Sequence, residues 1–266
     1  MELEIYQVDS FTSQTFKGNP AGVCIVEEPL SESVMLSIAE EMALSETAFL
    51  CLRDMNLRWF TPTVEVKLCG HATLATAHIM KEKGMVSIGE AIHFNTLSGR
   101  LTVQVNAEDF DMDFPTPELE FKPECDEAKL AALGISQNQI VSYGEFETKD
   151  FIEIDSEQSL IDLQPNFGAL KNMTGRGVLV TVQSRLQELD FVSRYFAPWV
   201  GINEDPVTGS AHCALAVFWK EKLGKSKLHG YQASQRGGHV TVEIKEAGRV
   251  TITGNAVTTL KGTLII

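Results

Sequence analysis

The sequence predicts a mixed α and β fold made of two copies of one unit, because related segments recur along the chain. "RWFTP" at 58–62 and "RYFAP" at 194–198 share Arg, Phe and Pro at an offset of 136 residues. "CGHATLATAHIMKEKG" at 69–84 and "TGSAHCALAVFWKEKL" at 208–223 share Gly, Ala and Lys-Glu-Lys at an offset of 139. "SGRLTVQV" and "GGHVTVEI" keep that second offset. A register held over roughly 30 residues indicates duplication rather than convergent helix composition.

The first copy, residues 1–115, combines strand patterns with two helical segments. The first helix, near 31–43, begins at Ser31 or Ser33 as its N-cap, and the second, at 70–83, is stopped by Gly84. The predicted strands are 2–8, 22–27, 47–52, 57–60, 91–96 and 100–106.

The second copy, residues 116–266, follows the segment "DFPTPELEFKPE", whose proline and acidic content indicates a connection near 115–125. Its closing segment, "VTTLKGTLII", predicts a strand that is a candidate to cross back to the first copy. The predicted helices are 126–133, 156–163 and 209–223, and the other predicted strands are 139–143, 150–154, 177–182, 188–193, 239–245 and 249–253.

The composition excludes some classes of partner. A net charge of −14 without a long basic cluster argues against nucleic acid and anionic membranes. The opening "MELEIYQVDSF" lacks a signal-peptide pattern, and no apolar run reaches the roughly 18 residues of a membrane span. Five widely spaced cysteines without a CxxC motif indicate a reducing compartment. We therefore expect a cytoplasmic protein with no membrane or nucleic-acid partner.

The duplicated helices begin with a glycine, Gly70 in the first copy and Gly209 in the second. The first N–H groups of a helix lack partners within it and carry a partial positive charge. If the copies pack about a pseudo-two-fold axis, the two helix starts meet at one cleft and form an anion site suited to a carboxylate, with Ser210 as a further donor. The alternative is that the two glycines only allow close helix packing.

Three side chains are candidates for acid–base chemistry at this cleft. His71 lies in the first turn of its helix, although a single histidine is often a structural hydrogen-bonding residue. Asp205 precedes the second helix in "NEDPVTGSA", where an Asp-Pro turn is the alternative interpretation. Glu46 lies in "ALSETAFL", where apolar neighbours suggest the partial burial that suits general acid–base catalysis; the alternative is a capping or solvated glutamate.

Cys69 lies at a helix start, where thiols become nucleophilic, but its counterpart is Thr208, which breaks a symmetric two-thiol mechanism. A Cys69–His71 dyad is not expected, because residues two apart on a helix do not face each other. No HExxH, CxxC, GxGxxG or P-loop motif occurs, so we predict neither a metal nor a nucleotide cofactor.

Taken together, several segments resemble the PhzF-like family of phenazine biosynthesis. They are "VDSFTSQTFKGNPAGVC", "SETAFL", "RWFTPTVEVKLCGHAT", "EDPVTGSAH", "ASQRGGHVTV" and "GNAVTTLKGTL", and the resemblance runs from about residue 4 to the end. It implies an α+β fold like that of diaminopimelate epimerase. In this fold, two pseudo-symmetric domains each form a rolled, mostly antiparallel sheet around a central helix, with the active site between them.

The resemblance also implies residue roles and a homodimer. The family's catalytic residues fall on Glu46, His71 and Asp205. The groups that hold the substrate carboxylate fall on Ser45, Gly70, His71, Gly209 and Ser210, and the paired cysteines of related epimerases fall on Cys69 and Thr208 as possible accessory positions.

We therefore expect a metal-free and cofactor-free isomerase that moves a proton within a small carboxylate substrate. Glu46 transfers the proton, while His71 and Asp205 orient the substrate and hold protons. One alternative is a one-thiol epimerase or racemase that uses Cys69 as its base. The other is a small-molecule binding protein without turnover.

Overall fold

The computed structural model describes residues 2–245 and 248–266, and it divides into two compact units. The first unit contains the residues up to Phe114 together with Thr251–Ile266, and the second contains Pro115–Val250. No helix in the described part of the chain is both long enough and apolar enough to cross a membrane.

Among the described residues, the first half of the chain supplies eight strands and two α-helices. They are β1 (Glu2–Ser10), β2 (Asn19–Val26), α1 (Glu32–Met42), β3 (Thr47–Cys51), β4 (Asn56–Phe60), β5 (Glu65–Val66), α2 (Gly70–Glu82), β6 (Ala91–Thr96), β7 (Gly99–Val105) and β8 (Phe110–Pro115).

The described residues of the rest of the chain supply ten strands and four α-helices. They are β9 (Glu120–Phe121), α3 (Glu127–Leu133), β10 (Ile140–Phe146), β11 (Lys149–Ile154), α4 (Glu157–Ile161), α5 (Phe167–Lys171), β12 (Val178–Gln183), β13 (Phe191–Ala197), β14 (Ile202–Glu204), α6 (Gly209–Leu223), β15 (Lys227–Gln232), β16 (Gly238–Glu243), β17 (Arg249–Gly254) and β18 (Ala256–Ile265).

The first unit is a mostly antiparallel sheet around α2. Strand β1 pairs antiparallel with β2 and β18, β2 pairs parallel with β3, and β3 pairs antiparallel with β4. Helix α2 packs against strands β1, β2, β3, β7 and β18, and it is buried on nearly all sides from His71 to Met80. Such a helix belongs to a core.

The second unit repeats this arrangement around α6. Strand β11 pairs parallel with β12, β12 pairs antiparallel with β13, and β13 pairs parallel with β15. Phe191 stacks on Trp219 of α6 with ring centroids 6.1 Å apart, and both side chains are fully buried. Each unit therefore has its own central helix and its own core.

The helices predicted at 31–43, 70–83 and 209–223 are confirmed as α1, α2 and α6, and Ser31 is the N-cap of α1. The prediction missed strands β5, β8, β14 and β15 and helix α5, and it placed an uninterrupted connection where the short strand β9 occurs. In β8, aspartates alternate with the apolar residues and lower its apparent strand propensity. In β15, Gly230 interrupts the pattern because the ring of Phe191 occupies the space of a side chain, 2.3 Å from an added Cβ.

Candidate functional site

Glu46 lies in the short connection between α1 and β3, and its backbone is fixed on both sides. Helix α1 ends at Ala43 in the left-handed conformation, with φ 52°, which turns the chain toward β3. The backbone N–H of Gly22 donates to the carbonyl of Glu46 at 3.1 Å. A Cβ on Gly22 would lie 2.7 Å from Oγ1 of the buried Thr47, so only glycine lets β2 approach β3 here.

His71, in the first turn of α2, brings the first group of candidates together. Its Nε2 lies 3.3 Å from Oε2 of Glu46 and 3.4 Å from Oγ of Ser45. Its backbone carbonyl accepts a 2.7 Å hydrogen bond from the buried Ser10 hydroxyl, which ties this turn to β1. The side chains of His71 and Glu46 are 8% and 17% exposed, so solvent reaches the carboxylate only partly.

Cys69 belongs to the same group, and the expectation that it would not face His71 is wrong. The Sγ atom lies 3.5 Å from Nδ1 of His71 and 4.0 Å from Nε2. Cys69 is the N-cap of α2, with extended φ −145° and ψ 108°, so helical side-chain spacing does not apply to it. The first unit therefore gathers a thiol, an imidazole and a carboxylate.

The N-caps of α2 and α6 have the same unusual form. Cys69 and Thr208 are both extended, and neither side chain makes the usual capping hydrogen bond to its helix. The Cys69 carbonyl accepts a hydrogen bond from the Thr73 hydroxyl at 2.6 Å, and the Thr208 carbonyl accepts one from Nδ1 of His212 at 2.8 Å. A helix start without a side-chain cap suits an anionic ligand.

Asp205 and Thr208 lie together in the second unit. The Thr208 hydroxyl donates to Oδ2 of Asp205 at 2.6 Å, and the Asp205 N–H donates to the Tyr195 carbonyl at 3.0 Å. The fully buried Gln232 side chain accepts from the Thr208 N–H at 2.9 Å and donates to the Asp205 carbonyl at 2.7 Å. Sequence reasoning missed Gln232, and its position beside "ASQRGGHVTV" was the available signal.

A lysine that the sequence did not single out contacts Ser210 at the start of α6. Nζ of Lys149 donates to Oγ of Ser210 at 3.3 Å and pairs with Glu147 at 2.8 Å. Glu147 and Thr148 have positive φ values of 46° and 65°, which makes the tight hairpin turn that places Lys149 at the start of β11. Lys149 is buried, so its charge acts in a weakly screened environment.

The structure thus groups the predicted residues by unit. Ser45, Glu46, Cys69, Gly70 and His71 lie together in the first unit; Asp205, Thr208, Gly209 and Ser210 lie together in the second.

Comparisons with known proteins extend over the whole chain. The sequence model of the PhzC-PhzF family, described as phenazine biosynthesis-like protein, matches residues 8–262. An uncharacterized isomerase of Halalkalibacterium halodurans is 46% identical over 268 residues, which cover 100% of each chain.

Solved structures show the same likeness. The crystal structure of a PhzF-family phenazine biosynthesis protein of Enterococcus faecalis superposes with a TM-score of 0.93 and 40% identity, covering 100% of each chain. A predicted epimerase of Pseudomonas aeruginosa has a TM-score of 0.79 at 17% identity, covering 99% of each chain, which shows likeness of fold alone. The epimerase-like α+β fold class expected from the sequence is confirmed.

Proposed function

The chain belongs to the PhzC-PhzF family of phenazine biosynthesis-like proteins, and we propose that it is an isomerase that moves a proton within a small carboxylate substrate. The isomerase name of its relative and the epimerase-like fold support an isomerase. The contact of Glu46 with His71 is the observation that carries the proton transfer, because an acid–base pair that is largely shielded from water suits the abstraction of a proton from carbon.

In this proposal Glu46 is the group that removes the proton from one carbon and returns it to another. His71 and Ser45 contact the carboxylate and keep it oriented toward the substrate. Because the imidazole of His71 is within hydrogen-bonding reach of Glu46, it also holds or relays the proton during transfer.

The second unit supplies binding and orientation in this proposal. Asp205 is held by Thr208 and by its backbone bonds, so its carboxylate is presented in one orientation. The starts of α2 and α6, at Gly70 and Gly209, bind the substrate carboxylate through backbone N–H groups, and Ser210 adds a hydroxyl. A double-mutant cycle between Glu46→Gln and Asp205→Asn tests whether both groups serve one substrate; fully additive effects would separate them.

Replacement of Glu46 tests the catalytic role directly. Purified protein is incubated with small carboxylic acids in deuterated water, and incorporation of deuterium is followed by mass spectrometry. We expect Glu46→Gln to slow incorporation at least about 100-fold while ligand binding persists, because the amide cannot accept the proton. The matched control is Glu41→Gln on the exposed side of α1, which should keep the wild-type rate. An unchanged rate in Glu46→Gln would remove this residue from the mechanism.

The contact of Cys69 with His71 favours a second candidate, a one-thiol epimerase in which the thiolate is a base. In that case Cys69→Ser or alkylation of this thiol abolishes exchange as completely as Glu46→Gln does. Retained exchange in Cys69→Ser excludes the one-thiol epimerase. Tight binding of a carboxylate without any exchange would instead identify a binding protein.

A further inference from the structure

We propose that Lys149 is a positioning residue for carboxylate binding at the start of α6, because it fixes Ser210 as a hydrogen-bond donor and adds a positive charge beside it. This inference rests on the proposed function, in which Gly209 and Ser210 bind the substrate carboxylate. Nζ of Lys149 donates to Oγ of Ser210 at 3.3 Å. Within the described part of the chain, this is the one hydrogen bond that the Ser210 side chain makes.

The chemistry of the two groups decides the direction of this hydrogen bond. An ammonium group has donors and no acceptor, so Oγ of Ser210 accepts from Lys149. The hydroxyl hydrogen of Ser210 therefore points away from the ammonium group. Because Ser210 is exposed, a ligand reaches this hydrogen from solvent. A carboxylate has acceptors only and is the group that such a donor suits best.

The positive charge of Lys149 is neutralised only in part by its ion-pair partner. The Lys149 side chain is 8% exposed, and its Nζ lies 5.0 Å from the centroid of the Phe146 ring. The partner Glu147 lies 2.8 Å away but is 56% exposed, so solvent screens its carboxylate more strongly than it screens the buried ammonium. We therefore expect the electrostatic potential at Ser210 to favour an anion over a neutral group of the same shape.

The framework of the sheet does not require a charge at this position. Strand β11 lies parallel to β12 as β2 lies parallel to β3, and the first paired residues of β11 and β2 are Asp150 and Gly22. Lys149 is therefore equivalent to Ala21, which is an apolar and fully buried residue. Burial of an ammonium costs desolvation energy that alanine avoids. The lysine is explained by the charge it carries and not by packing.

Binding of benzoate, compared with benzamide of the same shape, tests this inference on the full chain without any turnover. Protein labelled with ¹⁵N at glycine and serine is titrated with each compound, and the amide signals of Gly209 and Ser210 are followed by NMR. We expect benzoate to shift both signals saturably and to bind at least about tenfold more tightly than benzamide. Lys149→Met should weaken benzoate binding at least about tenfold and abolish this preference over benzamide.

Two further variants separate a role of the charge from a role in the fold. Lys171→Met is the matched control, because it removes the same charge at an exposed position of the same unit and should keep the wild-type affinity. Glu147→Gln removes the carboxylate that opposes the charge of Lys149, so it should tighten benzoate binding about twofold to threefold. If the Lys149–Glu147 ion pair served only to hold the turn, Glu147→Gln would weaken binding instead.

Equal benzoate binding by wild type and Lys149→Met would overturn the inference, and so would the absence of a saturable shift at Gly209. If Lys149→Met does not fold, Glu147→Gln decides, since unchanged or weaker benzoate binding in that variant also contradicts a role of the charge. These outcomes are separate from the deuterium-exchange test. Lys149-dependent binding without any exchange would contradict the proposed isomerase and not the role of Lys149 in carboxylate binding.

Discussion

The two units share one framework at equivalent positions, and they differ in the chemistry placed on it. Helices α2 and α6 both begin after an extended N-cap whose carbonyl accepts a side-chain hydrogen bond from four residues later. Arg58 and Arg194 make a two-point contact with a glutamate in each unit and lie over a neighbouring phenylalanine ring, 5.1 Å and 4.9 Å from its centroid. The same structural contacts therefore recur at equivalent positions of the two units.

The proposed base has no counterpart in the second unit. The carbonyl of Glu46 accepts from the N–H of Gly22, and the equivalent bond runs from Asp150 to the carbonyl of Gly177, so Gly177 occupies the position of Glu46. The Tyr195 hydroxyl fills the vacated space, 2.1 Å from where a Cβ would stand. Burial and the charge of Asp205 raise the pKa of Tyr195, which keeps it protonated. The base of our proposal therefore lies in the first unit, and the second unit has no carboxylate at the equivalent position.

The largest expected effect on stability separates the two arginines. Arg194 is buried and also donates to the carbonyls of Leu160, Ile161 and Leu163, whereas the Arg58 side chain is 24% exposed. We expect Arg194→Met to lower the free energy of unfolding by about 3–5 kcal/mol, because it strands a carboxylate and three carbonyls. Arg58→Met should cost less, about 2 kcal/mol, because Arg58 is partly solvated and donates to Glu65 and the exposed Glu32 rather than to buried carbonyls. Urea unfolding measures both, and equal losses would contradict the comparison.

The next effect concerns Thr73 and His212, which occupy the same place in the two helices. His212 is fully buried, burial lowers its pKa to about 4 from 6.5, and its Nε2 has no hydrogen-bond partner among the described residues. Between these values the unfolded chain binds the extra proton and the folded protein does not, so stability rises with pH. Because of His212, the free energy of unfolding therefore falls by up to about 3 kcal/mol as the pH falls from 6.5 toward 4.

Replacing His212 with threonine, the residue at the equivalent position of the first unit, should remove that loss of stability. We expect His212→Thr to flatten the dependence of unfolding free energy on pH between 4 and 6.5 relative to wild type. His229→Thr, at an exposed position, is the control and should keep the wild-type slope. An unchanged slope in His212→Thr would mean that other groups carry the acid sensitivity.

The sequence was informative where local periodicity decides the structure. Helices α2 and α6 were predicted within one residue, because their apolar and small residues are continuous and glycine marks each end. Strand β15 was missed because Gly230 is explained only by Phe191, a residue distant along the chain.

At the candidate site, too, local sequence was informative and contacts between distant residues were not predicted. Local sequence context and motif resemblance made Glu46, His71 and Asp205 candidates, but the contact of Cys69 with His71 depends on the N-cap dihedral angles of Cys69. Gln232 was missed for a similar reason: its hydrogen bonds to the loop before α6 join residues more than twenty positions apart. Local sequence patterns do not encode such contacts.

The smallest expected effect on stability comes from Gly22, whose close packing against Thr47 is the contact that we expect to hold Glu46, the proposed base, in position. A methyl group at Gly22 would lie 2.7 Å from Oγ1 and 2.9 Å from Cγ2 of Thr47, the residue after Glu46. We expect Gly22→Ala to cost about 1–3 kcal/mol and to slow deuterium exchange by displacing Glu46. Gly262→Ala is the matched control in a strand of the same unit: its added Cβ would meet nothing closer than 3.8 Å, so both readouts should stay near wild type. Loss of stability without loss of exchange in Gly22→Ala would mean that the Gly22 to Glu46 backbone bond supports the fold and not the reaction.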